Sequence, residues 1–172
     1  VRELILLRHA KSSWDDPRLD DFDRPLAPRG RRAAPLMGRE IARRGWLPEQ
    51  VMVSAARRAW QTWRLVASVL EQEETAAKPE EALYMASPET LVEALRRSGG
   101  HAQSILLVGH NPGLETFAGR LCGAGSDEDA KEALLDKFPT AAVARFEIEA
   151  GWAELDFGAG RLTHFLRPKD FS

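Results

Sequence analysis

Apolar residues in this chain fall into short blocks separated by longer stretches of helical spacing. The blocks Leu4–Leu7, Val51–Val53, Ile105–Val108, Ala142–Ile148, Ala153–Phe157 and Leu162–Leu166 are the strand candidates. Leu4–Leu7 and Ile105–Val108 are apolar at every position, the pattern of strands covered on both faces. Between the blocks, 29–44 places Ala33, Leu36, Met37, Glu40, Ile41 and Arg44 at near-helical spacing, with Gly45 as a stop. The Ala/Leu/Val-rich stretch 57–71 predicts a helix packed with one side on a sheet. A further helix over 88–97 follows Ser87, an N-cap residue, with Pro88 at its first position. The same grammar places a helix over 112–121 behind Asn111, and 127–137 reads as a charged helix ending before Phe138-Pro139.

Strands alternating with helices predict an α/β fold. The expected architecture is a three-layer α/β/α sandwich around a central, mostly parallel mixed sheet, the last third being richer in strands. With no repeat, low-complexity segment or linker, residues 1–172 are expected to form a single domain. One long charged, proline-bearing loop, D-D-P-R-L-D-D-F-D-R-P-L-A-P over 15–28, breaks the rhythm, and long loops in compact domains often carry function.

Composition narrows the classes. The chain has 172 residues, is 44% hydrophobic and 29% charged, and carries a formal net charge of −2, so no overall pull toward nucleic acid or anionic membrane is expected. Its single cysteine, Cys122, excludes an internal disulfide framework and a Cys-cluster metal site. No apolar run approaches the ~18 residues of a membrane span. No basic region followed by an apolar signal segment opens the sequence, so a cytoplasmic location is the expectation.

Three strand ends carry polar residues suited to chemistry. The first ends on Arg8-His9. The second runs through Ser54 into S-A-A-R-R-A-W-Q-T, with Arg57 and Arg58, and the third ends on G-H-N-P-G with His110. In open α/β sheets ligands gather beyond the carboxyl ends of the strands. Parallel strands would therefore bring two histidines and two or three arginines to one edge, where forked guanidinium donors and helix N-termini suit phosphate. Taken singly, each has a plainer explanation: Arg8 as a solvated strand end, His9 as a structural histidine, the two arginines as a polar helix face, G-H-N-P-G as a capped loop. Their joint occurrence past three strands favours a pocket.

The phrases L-L-R-H-A, S-x-x-x-R-A-x-Q-T and V-G-H-N-P together resemble the signatures of the histidine phosphatase superfamily. K-S-S-W, D-R-P-L at 23–26, L-Y-M-A-S-P-E at 83–89 and R-L-T-H-F make the chain similar to its short SixA-like phosphohistidine phosphatases, along essentially the whole length. The resemblance implies that His9 is the nucleophile that takes the phosphoryl group. Arg8 and Arg58 would hold the phosphate oxygens, and His110 would complete the pocket as a donor. Arg58, which precedes Ala59-x-Gln61-Thr62, matches the family position, leaving Arg57 as a surface neighbour. Arg24 matches an arginine that reaches the phosphate in the SixA-like branch. Ser12 or Ser13 would either lend a hydroxyl or only shape the loop.

No cofactor and no metal are expected, because arginines supply the positive charge and neither a Walker loop nor an H-E-x-x-H pattern is present. A carboxylic acid that protonates a leaving alkoxide in larger relatives has no obvious counterpart at L-Y-M-A-S. Glu81, Glu89 and Glu115 lie near but read as exposed helix or loop residues. Without such an acid, worth on the order of 10²–10⁴-fold, a labile phosphoramidate is the better substrate. The expected partner is accordingly a phosphorylated protein bearing phosphohistidine, docked with help from the 15–28 loop and Trp14. A small-molecule phosphomonoesterase or mutase, and a non-catalytic phosphate- or phosphoprotein-binding module, are the alternatives.

Overall fold

The computed structural model describes residues 1–72 and 77–172. Six strands form one sheet in the order β3-β2-β4-β1-β5-β6. They are β1 (Arg2–Arg8), β2 (Gln50–Ser54), β3 (Pro79–Glu80), β4 (Ser104–Gly109), β5 (Val143–Ile148) and β6 (Gly160–Leu166). β1, β2, β3 and β4 run parallel, whereas β5 lies antiparallel to both β1 and β6. The helices are α1 (Pro28–Arg43), α2 (Arg57–Leu70), α3 (Pro88–Ser98), α4 (Gly113–Leu121) and α5 (Glu128–Asp136).

Both faces of the sheet are covered, which is why β1 and β4 are apolar at every position. Leu4, Leu6, Ile105 and Leu107 pack with Leu91, Leu95, Leu114, Phe117 and Leu134 from α3, α4 and α5. Ile5, Leu7, Leu106 and Val108 point the other way, against Met37 and Ile41 of α1 and Trp63, Val66 and Leu70 of α2. Successive strand residues thus alternate between two cores rather than between core and water. This is the expected three-layer mixed α/β architecture.

Two local expectations are corrected, and one element is added. Ala153–Phe157 is not a strand: a 3-10 turn at Trp152–Glu154 takes its place, because the buried residues Trp152 and Leu155 stand three apart, the period of that turn. Asn111 does not cap α4. Its amide donates to the Phe138 carbonyl at 2.9 Å, and the helix begins at Gly113 behind Pro112. The two-residue strand β3 was not anticipated, being too short to carry any periodicity. Ser87 does cap α3, accepting from the Thr90 amide, and the 15–28 loop contains a 3-10 turn at Asp21–Asp23.

The start of α4, just beyond β4, is fixed by a close approach. A Cβ on Gly113 would lie 1.8 Å from the Ala86 carbonyl oxygen, a backbone atom with no freedom to give way. Gly113→Ala is expected to cost about 1–3 kcal/mol by overpacking, read as a fall in thermal midpoint of several degrees.

Candidate active site

Parallel register sets the geometry. Arg8 pairs with Gly109 across β1 and β4, and Val53 pairs with Val108 across β2 and β4. The residues that follow, His9, His110 and the Ser54-to-Arg58 turn, therefore emerge at one edge. The His9 and His110 rings lie 5.1 Å apart between centroids. Arg8, His9, Arg24, Arg58 and His110 all line one cavity of about 220 Å³, together with Ser12. Arg57, by contrast, is exposed and donates to the Asp23 carbonyl.

The motif residues beside the arginine have structural work. Thr62 Oγ1 accepts the Ala10 amide at 3.0 Å and donates to the Arg58 carbonyl at 2.7 Å, tying the chain after His9 to the first turn of α2. Gln61 Oε1 accepts the Leu26 amide at 2.8 Å and so holds the segment that carries Arg24. Arg24 is buried, donates to Ser12 Oγ at 2.8 Å and to the Ser13 carbonyl, and stacks under the exposed Trp14 ring at 3.5 Å. Ser12 therefore orients a guanidinium.

His9 Nδ1 lies 2.7 Å from the Ala10 carbonyl, an acceptor only, so this nitrogen carries the proton and Nε2 keeps its lone pair. Burial pushes the His9 pKa down to about 3, helped by His110, Arg58 and Arg8 and opposed by the Ala10 hydrogen bond. His110 is likewise lowered to about 3, by burial and then by Arg58, with Arg8 and Arg24 adding and Asp21 opposing. Its Nε2 meets Ser54 Oγ at 2.7 Å. The Ser54 hydroxyl also accepts the Ala56 amide; when it donates to Nε2, Nδ1–H of His110 becomes the donor. His110 Nδ1, Arg8 Nε and Arg58 Nε are all buried without a partner among the described residues. Such orphan groups are costly unless a ligand satisfies them.

Asp21 is the site residue that the sequence alone did not mark. Its carboxylate accepts from Arg58 Nη2 at 2.9 Å, from Arg24 Nε at 3.1 Å and from the Tyr84 hydroxyl, while its carbonyl accepts from Arg58 Nη1 at 2.6 Å. Partial burial would raise its pKa, but these hydrogen bonds outweigh it and hold the group at about 2. Its signal was the D-x-x-R spacing ahead of P-L, which puts a carboxylate on the same turn as Arg24. Among the described residues lining the cavity Asp21 is the one carboxylate. Glu81 is exposed, Glu89 pairs with Arg120 on the surface, and Glu115 accepts the Phe138 amide behind Arg8.

The arrangement offers a neutral nucleophilic nitrogen facing forked cationic donors, the equipment for receiving a phosphoryl group. Comparison with known proteins agrees. Residues 4–83 match the family model of the histidine phosphatase superfamily, branch 1. A SixA chain of Agrobacterium tumefaciens, assigned as a phosphohistidine phosphatase, is 30% identical. It superposes with a TM-score of 0.80 over 97% of this chain and 98% of its own. The protein histidine phosphatase SixA complexed with tungstate also gives a TM-score of 0.80, at 21% identity, which speaks for the fold alone. An uncharacterized protein of Mycobacterium tuberculosis strain H37Rv is 36% identical over 170 residues, covering 95% of this chain and 100% of the relative. The chain belongs to the histidine phosphatase superfamily, in its SixA-like branch. Phosphatase activity is the class this membership supports.

With both folded-state pKa values below the ordinary imidazole value of ~6.5, the folded protein binds fewer protons than the unfolded chain between about 3 and 6.5. Stability contributed by the neutral rings is complete above that window and is lost as pH falls through it. Ring ¹⁵N chemical shifts are expected to show His9 and His110 still neutral at pH 5. The double variant His9→Gln/His110→Gln should show a shallower acid loss of stability than wild type.

Proposed function

We propose that the protein is a cofactor-independent phosphohistidine phosphatase that passes the phosphoryl group through His9. The observation that carries the reading is the set of three donors, Arg58, Arg24 and Tyr84, on the Asp21 carboxylate. The cavity's one described carboxylate is held as an anion by Tyr84, Arg58 and Arg24, so it has no proton to give a departing alkoxide. A phosphorylated imidazole protonated on its far nitrogen departs as a neutral ring and needs none.

In the first step His9 Nε2 forms a bond to phosphorus as the substrate P–N bond breaks, its electron pair returning to the leaving ring. Arg8, Arg58 and His110 stabilise the equatorial oxygens of the transferring group. Arg24, brought in by the Gln61–Leu26 contact, adds a further cation to the phosphate site. For this, Arg58 must exchange the Asp21 carboxylate for a phosphate oxygen. In the second step water attacks phospho-His9, releasing inorganic phosphate and the neutral ring, which is ordinary covalent catalysis.

A phosphorylated protein is the expected partner, since Trp14 and Met85, exposed at the cavity's rim, leave it open to a protruding side chain. Asp21 also supports the second reading, a small-molecule phosphomonoesterase. That reading needs the phosphate to draw off Arg24 as well as Arg58, which would raise the Asp21 pKa and make it an acid. In the first reading Arg24 and Tyr84 stay on the carboxylate.

Phosphohistidine proteins and common phosphomonoesters offered to wild type and His9→Ala separate the readings. Release of phosphate from phosphohistidine, acid-labile label on residue 9 and loss of both in His9→Ala are expected. Turnover of alkyl phosphates alone would transfer the case to the phosphomonoesterase. Binding of phosphorylated compounds without any turnover would favour a non-catalytic module. Arg58→Ala should lower kcat/KM by about 10²–10³, the cost of one preorganised transition-state donor.

A further inference from the structure

A second cavity, about 250 Å³, adjoins the first, and Lys11 and Thr140 line both. Its wall is assembled from three remote segments: Arg29 in the first turn of α1, Asp136 and Lys137 at the end of α5, and Arg167 and Lys169 beyond β6. Five cations thus face one carboxylate, in a chain whose 24 basic residues are outnumbered by 26 acidic ones. The concentration of positive charge is therefore local, not a reflection of a basic surface. Arg167 is paired with Asp170 at 3.0 Å, whereas Lys11, Arg29, Lys137 and Lys169 make no ion pair among the described residues. The α1 N-terminus adds to the field: Ala27 gives no side-chain cap, and no acidic residue occupies the first turn.

We propose that this cavity is a docking subsite for an acidic segment of the phosphorylated partner protein, next to its phosphohistidine. The inference rests on the phosphohistidine reading for what occupies the neighbouring cavity. Charge complementarity selects the occupant. Arg167, whose fork would grip a phosphate in two bonds, is engaged with Asp170, and the unpaired cations are mainly lysines. Lysines are flexible point charges that accept carboxylates at variable positions. Because Lys11 and Thr140 stand on the common wall, one chain can present a phosphoryl group to His9 and carboxylates to Lys137 and Lys169 together. Such a field speeds encounter and weakens with salt.

The test uses Lys137→Glu/Lys169→Glu, two exposed positions outside the phosphoryl cavity, with a thermal melt to verify folding. Two phosphohistidine peptides, one flanked by Asp and Glu and one by Ser and Gln, are compared with free phosphohistidine. Wild type is expected to turn over the acidic peptide about tenfold more efficiently than the neutral one, through KM, with the advantage shrinking in high salt. The double variant should lose that preference and keep wild-type turnover of free phosphohistidine. Equal rates on both peptides, or an equal loss on free phosphohistidine, would overturn the proposal. Fluorescence anisotropy of the unphosphorylated peptides decides the subsite independently of catalysis. Tighter binding of the acidic peptide to wild type than to the double variant supports the subsite, and equal binding refutes it. If no phosphohistidine compound is hydrolysed, the functional reading fails, while the anisotropy measurement still supports or refutes the subsite.

Discussion

Parallel pairing of β1 and β2 on either side of β4 is the constraint from which the site follows. Three strands that share a direction must end at the same edge, so residues 8 and 9, 54 to 58 and 110 meet although they are far apart in sequence. Burial of both sheet faces makes this register rigid, since a one-residue slip would exchange the two cores. Thr62 and Gln61 then extend the constraint from strands to loops. One fixes the chain after His9 against α2, and the other fixes the approach of Arg24.

The electrostatics follow from the same convergence. Burial of the two imidazoles, and after it the guanidiniums gathered around them, disfavours protonated rings and leaves His9 Nε2 with a free lone pair at neutral pH. Those guanidiniums in turn need an anion. Asp21 supplies one to Arg58 and Arg24, while Arg8 Nε, Arg58 Nε and His110 Nδ1 have no partner among the described residues. The pocket is thus only partly neutralised, as the proposed binding of a phosphoryl dianion in exchange for Asp21 requires.

Much of this was legible in the sequence because strand ends are marked by abrupt changes from apolar to polar residues. Leu7-Arg8-His9 and Val108-Gly109-His110 announce both the strand and the polar residues that line the cavity at its end. Two-sided burial was readable from unbroken apolar runs. What escaped reading depended on tertiary contacts. Asp21 sits among other acidic loop residues, and its D-x-x-R spacing to Arg24 does not show its reach to Arg58, thirty-seven positions away. Asn111 had the grammar of a helix cap, but its Nδ2–H turns to the Phe138 carbonyl and its Oδ1 meets no helix amide among the described residues. At Trp152–Glu154 a strand-like composition yielded to a 3-10 turn because Trp152 sends its indole N–H to the Ala102 carbonyl.

In the proposed reaction a neutral His9 nitrogen and the surrounding cations bind a single transferring PO₃ unit. Its most direct test is a crystal structure of the protein with tungstate or vanadate as a stand-in for that unit. The metal centre of the oxyanion is expected at His9 Nε2, its oxygens on Arg8, Arg58 and His110, and the Asp21 carboxylate released from Arg58. An oxyanion bound elsewhere, or one bound with Asp21 still on Arg58 and His9 untouched, would contradict it.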